Sequence, residues 1–162
     1  LECRLSRLSL NSAPAFIAIS YTWEVALPLV SVTLNGHEFS IRENLHSALR
    51  QFNTSAPGAY FWVDAICIDQ TCVPERNTQV PLMKDIYSTA SRGWVWLGDG
   101  THRTRTLVSM LYDIKYLQEA QDPQHDMDLI GYLDPLLHSL ENEKEEWILL
   151  LLRPWFNRTW IL

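Results

Sequence analysis

The sequence is short of glycine, cysteine, long hydrophobic runs and clustered positive charge, and each shortage excludes a class of protein. Six glycines among 162 residues form neither a GxGxxG nor a phosphate-loop pattern, so the familiar glycine-rich cradles for nucleotides are absent. Cys3, Cys67 and Cys72 are too few and odd in number for a disulfide framework, which points to a reducing compartment. The longest apolar run near the C-terminus, Trp147 to Leu152, falls far below the roughly 20 residues of a membrane-spanning helix. Arg4 and Arg7 interrupt the N-terminal apolar residues, leaving no signal-peptide core. These features predict a cytoplasmic protein with no membrane association. Thirteen basic against nineteen acidic residues give a net charge of −6, which argues against nucleic acid as a partner.

The acidity is local. Residues 1–60 hold four basic and four acidic side chains, and residues 61–110 hold five of each. Residues 111–146 hold two basic and ten acidic, and residues 147–162 add two arginines. The composition, 47% apolar and 20% charged, is that of a globular domain, and the length suits one domain. The first residue is Leu and the last three are Trp160-Ile161-Leu162, so a piece of a longer protein is expected.

Hydrophobic periodicity predicts an α/β fold. Phe16 to Tyr21 (FIAISY) and Tyr60 to Ile68 (YFWVDAICI) read as strands buried on both faces. LVSVTL and HEFSI flank Asn35-Gly36, the strongest short-range hairpin signal, because a type I′ turn needs positive φ at both central residues. Ser40 and Glu43 have capping-box spacing before Leu45, Ala48, Leu49 and Phe52, which predicts a helix ending near Pro57-Gly58. Val80, Met83, Ile86, Tyr87 and Ala90 mark a second helix, with Thr78 expected as its N-cap so that Pro81 falls in the first turn. Gly93 to Leu97 is a third strand, and residues 104–120 and 129–152 read as later helices, the second interrupted near Pro135. Together they predict a parallel sheet flanked by helices, with a β-hairpin in the N-terminal half and an acidic helical excursion over 111–146.

Ligands on such sheets bind at the carboxyl ends of the strands. That rim draws attention to Ser20, Tyr21, Trp23, Asp64, Asp69 and, at the C-terminus, Trp160. Asp64 would sit inside an apolar strand, where an unpaired carboxylate is costly. It either shapes a pocket or satisfies backbone amides or an arginine. Asp69 either meets a ligand or closes an Asx-turn. Cys67 reads as a buried thiol in a strand. Cys67 and Cys72 have the spacing of half a zinc site, but none of the five histidines supplies the other half, so no metal is expected. Trp62, Trp94 and Trp96 fall on strands as core residues, whereas Trp23 and Trp160 are candidates for lining a pocket.

Seven ordered blocks carry a resemblance: IAISYTW (17–23), NLHSAL (44–49) after the Asn-Gly hairpin, WVDAICIDQ (62–70), ER (75–76), QVPLMKDIYSTA (79–90), VWLG (95–98) and RPWFNRTWIL (153–162). The chain resembles the heterokaryon incompatibility (HET) domain of filamentous fungi over nearly its whole length. The resemblance implies a single domain over 1–162 in a protein of non-self recognition and programmed cell death. It also implies a TIR-like fold and protein partners or self-association. Some TIR-like relatives hydrolyse NAD through a Glu, which makes NAD a candidate substrate. In the family's last block that Glu follows as Gln-Glu, beyond Leu162, so this piece alone is expected to be inactive. The sequence departs from the family at Glu24, where Gly is usual, and a positive φ there would strain any other residue.

Overall fold

The structure, a computed structural model, describes residues 1–24, 27–119, 138 and 143–157. They form two compact units, Leu1–Gly98 and Asp99–Leu162. The first is organised around β2 (Phe16–Ser20), whose first four residues are all buried. Those four residues are apolar because the strand lies mid-sheet, with β5 (Tyr60–Trp62) and β6 (Arg92–Val95) parallel to it on either side. Trp96 N–H donates to the Ser20 carbonyl at 2.8 Å and Ser91 N–H to the Phe16 carbonyl at 2.9 Å. The third strand's pairing therefore runs on past both ends of β6.

Alternation along β2 divides the core. Ile19 and Tyr21 join one cluster, and Phe16 and Ala18 the other. The first is covered by α1 (Glu43–Ser55), which buries Leu45, Ala48, Leu49 and Phe52 at three- and four-residue intervals. Phe52 lies 5.1 Å from Trp94 and 5.8 Å from Trp96 between ring centroids, so these strand tryptophans are core residues, as their positions predicted. The second cluster receives Ile86 and Tyr87 from α3 (Val73–Thr89) and Ala90 from its C-cap. Tyr87 Oη donates to the Ile19 carbonyl at 2.9 Å, which ties α3 to the central strand. The parallel sheet thus has a helix on each face, as the alternation of elements predicted.

The hairpin forms where expected. β3 (Leu29–Leu34) and β4 (His37–Arg42) pair antiparallel with Leu34 opposite His37, and Asn35 and Gly36 have φ of 52° and 82°. The hairpin belongs to a separate sheet, with β1 (Glu2–Cys3) parallel to β3. Val32 and Ile41 face inward and join the α1 cluster. Leu5 N–H donates to Asn35 Oδ1 at 2.9 Å, and Asn35 Nδ2 donates to the Leu5 carbonyl at 3.2 Å, so the turn's Asn also anchors the N-terminal segment.

Three local expectations are corrected. The strand expected over 60–68 ends at Trp62, and Asp64–Cys67 form a short helix, α2. Neither Asp64 nor Cys67 is therefore a strand residue. Backbone hydrogen bonds from Cys67 N to Val63 O at 2.8 Å and from Ile68 N to Asp64 O at 3.2 Å satisfy groups that have no neighbouring strand to pair with. Ser40 is no helix cap, because β4 runs on to Arg42 and Ser40 pairs with Ser31 in the ladder; Arg42 is the N-cap and makes no side-chain cap. Finally, α3 starts at Val73 with Pro74 in its first turn, leaving Pro81 inside the helix and Thr78 within it. The lost Pro81 bond would orphan the Asn77 carbonyl, but Asn77 and Pro81 are both exposed, so water can satisfy it.

In the second unit, α4 (His102–Glu119) begins two residues before its predicted start. Thr101 Oγ1 caps it by accepting from Thr104 N–H at 3.0 Å. Glu146, on α5 (Lys144–Leu151), accepts from the hydroxyls of Thr104 at 2.7 Å and Thr101 at 3.0 Å. Those bonds, Thr104's first, hold the Glu146 carboxyl below its ordinary range. The expected interruption near Pro135 and most of the acidic excursion lie outside the described residues.

Leu45 is 1% exposed and Val80 54%. Leu45→Ala is expected to cost about 2–5 kcal/mol, against less than about 0.5 kcal/mol for Val80→Ala, read from urea denaturation midpoints.

Candidate functional site

The sheet order β5–β2–β6 sends the chain from β2 to one neighbour and then back across to the other. The topological switch point, where ligands bind parallel sheets, therefore lies between the carboxyl ends of β2 and β6. Three segments emerge at this rim: Tyr21 to Glu24 after β2, Asp64 just after β5, and Trp96 after β6.

A hydrogen-bond network joins the first and third of these through Asn44, the second residue of α1. Asn44 is 7% exposed. Its Oδ1 accepts from Trp96 Nε1 at 2.7 Å. Its Nδ2 donates to the Thr22 carbonyl at 2.8 Å and lies 3.3 Å from Thr22 Oγ1 and 3.2 Å from Glu24 Oε1. Thr22 Oγ1 in turn donates to Glu24 Oε1 at 2.9 Å. Both ends of the Asn44 amide are thus engaged, as a buried amide requires. Glu24 has φ of 38°. The sequence departure at this position therefore falls on backbone of the left-handed region that favours glycine, and the carboxylate's two bonds hold the residue there.

Among the residues singled out in the sequence, Trp23 and Asp64 are brought into direct contact. Trp23 Nε1 donates to Asp64 Oδ2 at 3.1 Å, while the ring stays 39% exposed. Asp64 Oδ1 accepts from Ala65 N–H at 2.8 Å, and the Asp64 carbonyl accepts from Gln70 Nε2 at 2.9 Å. Asp64 therefore spans two functions, fixing an exposed indole with one oxygen and starting α2 with the other. Ser20 lies at the end of β2, its carbonyl in the ladder. Tyr21 is 2% exposed and packs in the α1 cluster. Trp160 lies outside the described residues.

Asp69 stands apart from this network, exposed on the loop after α2. Its Oδ1 accepts from Thr71 Oγ1 at 2.7 Å and from Thr71 N–H at 2.9 Å, an Asx-turn. The Thr71 hydroxyl, then the Thr71 amide, hold its carboxyl below the usual range. Cys67 is partly buried, and desolvation pushes its thiol up, which suits a packed thiol and opposes a thiolate nucleophile. Among the described residues no three His, Cys, Asp or Glu side chains converge as for a metal ion, and no helix is long and apolar enough to cross a membrane. A separate depression of about 400 Å³ is lined by Leu1, His46, Arg50, Asn53 and Thr54 and shares no residue with the rim.

Sequence reasoning missed Asn44, Thr22 and the role of the Glu24 side chain. A signal for the first was present: Asn44 precedes Ala48 and Phe52 at four-residue steps, so it lies on the apolar stripe of α1, where a polar residue implies a partner.

Two measurements check this geometry. Asn44→Leu leaves the Trp96 indole N–H unpaired and is expected to cost about 1–3 kcal/mol of stability, with the Trp96 indole NMR resonance displaced. For Asp69, the lowered carboxyl contributes stability that is present above the unfolded-state titration and lost as pH falls through the folded one. Thr71→Val removes the hydroxyl bond and keeps the amide bond, so the Asp69 carboxyl should titrate at higher pH, followed by carbon NMR.

Comparison with known proteins places the chain. The family model described as heterokaryon incompatibility protein (HET) matches residues 16–162. Heterokaryon incompatibility protein 6, OR allele, of Neurospora crassa is 27% identical over 127 residues, which is 70% of this chain and 19% of that protein. The chain therefore spans about a fifth of the length of this relative. No solved structure matches the chain. With the family model covering both strand rims and both helical faces of the parallel sheet, the chain belongs to the heterokaryon incompatibility (HET) family.

Proposed function

We propose that the chain is the effector domain of a fungal non-self recognition protein whose activation leads to programmed cell death, and that the whole protein cleaves NAD. The observation that carries the reading is the HET family match over residues 16–162; the relative named for heterokaryon incompatibility supports it. The proposed domain is single, covers 1–162 and works in the cytoplasm.

The reaction is hydrolysis of the bond between nicotinamide N1 and ribose C1′. Water adds to C1′, the bonding pair leaves with nicotinamide as the neutral amide, and ADP-ribose and a proton are released. In this reading the pocket lies at the strand ends around Ser20, Tyr21, Trp23, Asp64 and Asp69. Trp23 supplies the stacking surface for the nicotinamide ring. Its indole N–H is held by Asp64 at 3.1 Å, so the ring's orientation is set before the ligand arrives, which reduces the entropy lost on binding. Asp64 is a positioning residue that acts through Trp23. The carboxylate that stabilises the developing positive charge on the ribose is the Glu that the family resemblance puts after Leu162.

One observation favours a second reading, a self-assembling scaffold without catalysis. Ile148, Leu149, Leu151 and Leu152 of the C-terminal unit are 50–66% exposed, a run of apolar surface suited to protein association.

Nicotinamide release from NAD, followed by chromatography, separates the two. The chain extended through the Gln-Glu of its last block is expected to turn NAD over, and its Glu→Gln variant is not. Trp23→Ala should lower kcat/KM by about tenfold or more, the scale of a lost aromatic stack, and Asp64→Asn by less. Absence of turnover by the extended chain, even when clustered, overturns the enzymatic reading in favour of the scaffold.

A further inference from the structure

Two hydrogen-bond donors from separate elements, Asn44 Nδ2 of α1 and Thr22 Oγ1 after β2, converge on one carboxylate oxygen, Glu24 Oε1, at 3.2 and 2.9 Å. They do so at the switch point of the sheet, where a parallel α/β fold receives ligands. The carboxylate is delivered by a residue at φ 38°, a conformation that glycine adopts freely and other residues resist. The network does not need Glu24 to stay satisfied. Without it, Asn44 keeps its bonds to the Thr22 carbonyl and to Trp96 Nε1, and the backbone strain is relieved. Glu24 thus adds strain at a position where its main effect is to occupy two donors.

We propose that Glu24 is an internal competitor: its carboxylate fills an oxyanion position made by Asn44 Nδ2 and Thr22 Oγ1 and keeps carboxylate- or phosphate-bearing ligands out of the strand-end crevice. A ligand oxygen would take the two bonds that Glu24 Oε1 now accepts. A competitor bound most of the time lowers the apparent affinity for the external anion by the fraction of time that the position is open. The proposal concerns a binding step alone and holds whether or not NAD is the ligand or is cleaved.

Inorganic phosphate is the probe, titrated into the whole chain at constant ionic strength while the Asn44 side-chain amide and Trp96 indole resonances are followed by NMR. Wild type is expected to show no saturable shift at these two groups. Glu24→Gly, which fits the observed φ, should remain folded and show a saturable shift with an affinity about tenfold or more above any wild-type response. Glu24→Asn is a second way to open the position, since Asn tolerates this backbone region and is too short to reproduce the same reach. Glu24→Gln retains an acceptor oxygen at full length and should stay closed, which separates occupancy from charge repulsion. Adding Thr22→Val to Glu24→Gly should weaken the response several-fold. The inference is overturned if the folded Gly and Asn variants give no saturable shift, or if wild type responds equally. It is also overturned if the Gln variant opens the site, or if losing the Thr22 hydroxyl changes nothing. Unfolding of both Gly and Asn variants would assign Glu24 a structural role and overturn it as well. NAD turnover plays no part in the readout, so failure of the enzymatic reading leaves this result interpretable.

Discussion

The buried amide of Asn44 is the point on which the strand-end rim of the first unit depends. A side-chain amide offers an acceptor oxygen and a donor nitrogen, and here the two ends are directed at different segments. The oxygen takes the Trp96 indole N–H at the end of one strand, and the nitrogen reaches the backbone and side chains after the central strand. An apolar residue at this place would fill the volume but leave an indole N–H unpaired inside the protein, and desolvating that donor costs more than a hydrogen bond contributes. The rim is therefore held by a polar contact embedded in an aromatic and aliphatic core, with Phe52, Trp94 and Trp96 packed around the same helix.

This arrangement gives the two tryptophans at the rim different roles. Trp96 is buried, its N–H satisfied internally, and it serves as a fixed wall. Trp23 is more than a third exposed, with its N–H tied to Asp64. Asp64 links this surface to the folding of the next segment, because the same carboxylate accepts from the Ala65 amide in α2. Glu24, beside Trp23, joins the loop to Asn44 through its side chain. Indole orientation, loop backbone and helix start are thus coupled through two carboxylates with different partners.

Much of the fold was legible in the sequence because it rests on local rules. The apolar run of β2, the Asn-Gly turn and the stripe of α1 each follow from burial, positive φ or helical period, and each appears within a few residues of its expected place. The misplacements share one cause, competition between local signals. Ser40 has cap spacing, yet ladder pairing with Ser31 holds it in the strand. YFWVDAICI is rich in aromatic and β-branched residues, yet its second half closes its backbone bonds locally as α2. Pro81 would ordinarily end a helix, yet α3 passes through it with that turn exposed to water. For the candidate site, the sequence drew attention to the rim, Trp23, Asp64, Asp69 and the unusual Glu24, but it could not show that Trp23 bonds Asp64, that Asp69 closes an Asx-turn or that Asn44 bonds Trp96.

The sequence by itself determined most of the element types, the Asn-Gly turn, the family and the position at which a glycine would be at ease. These depend on residues near one another in the chain, or on ordered blocks that can be matched one by one. Only the tertiary structure decided that the hairpin forms its own sheet and that β2 lies between β5 and β6. It also decided that Asn44, twenty residues from Glu24 and fifty-two from Trp96, closes the rim. A hydrogen bond depends on distances of about 3 Å and on direction, and sequence separation carries neither until the core has packed.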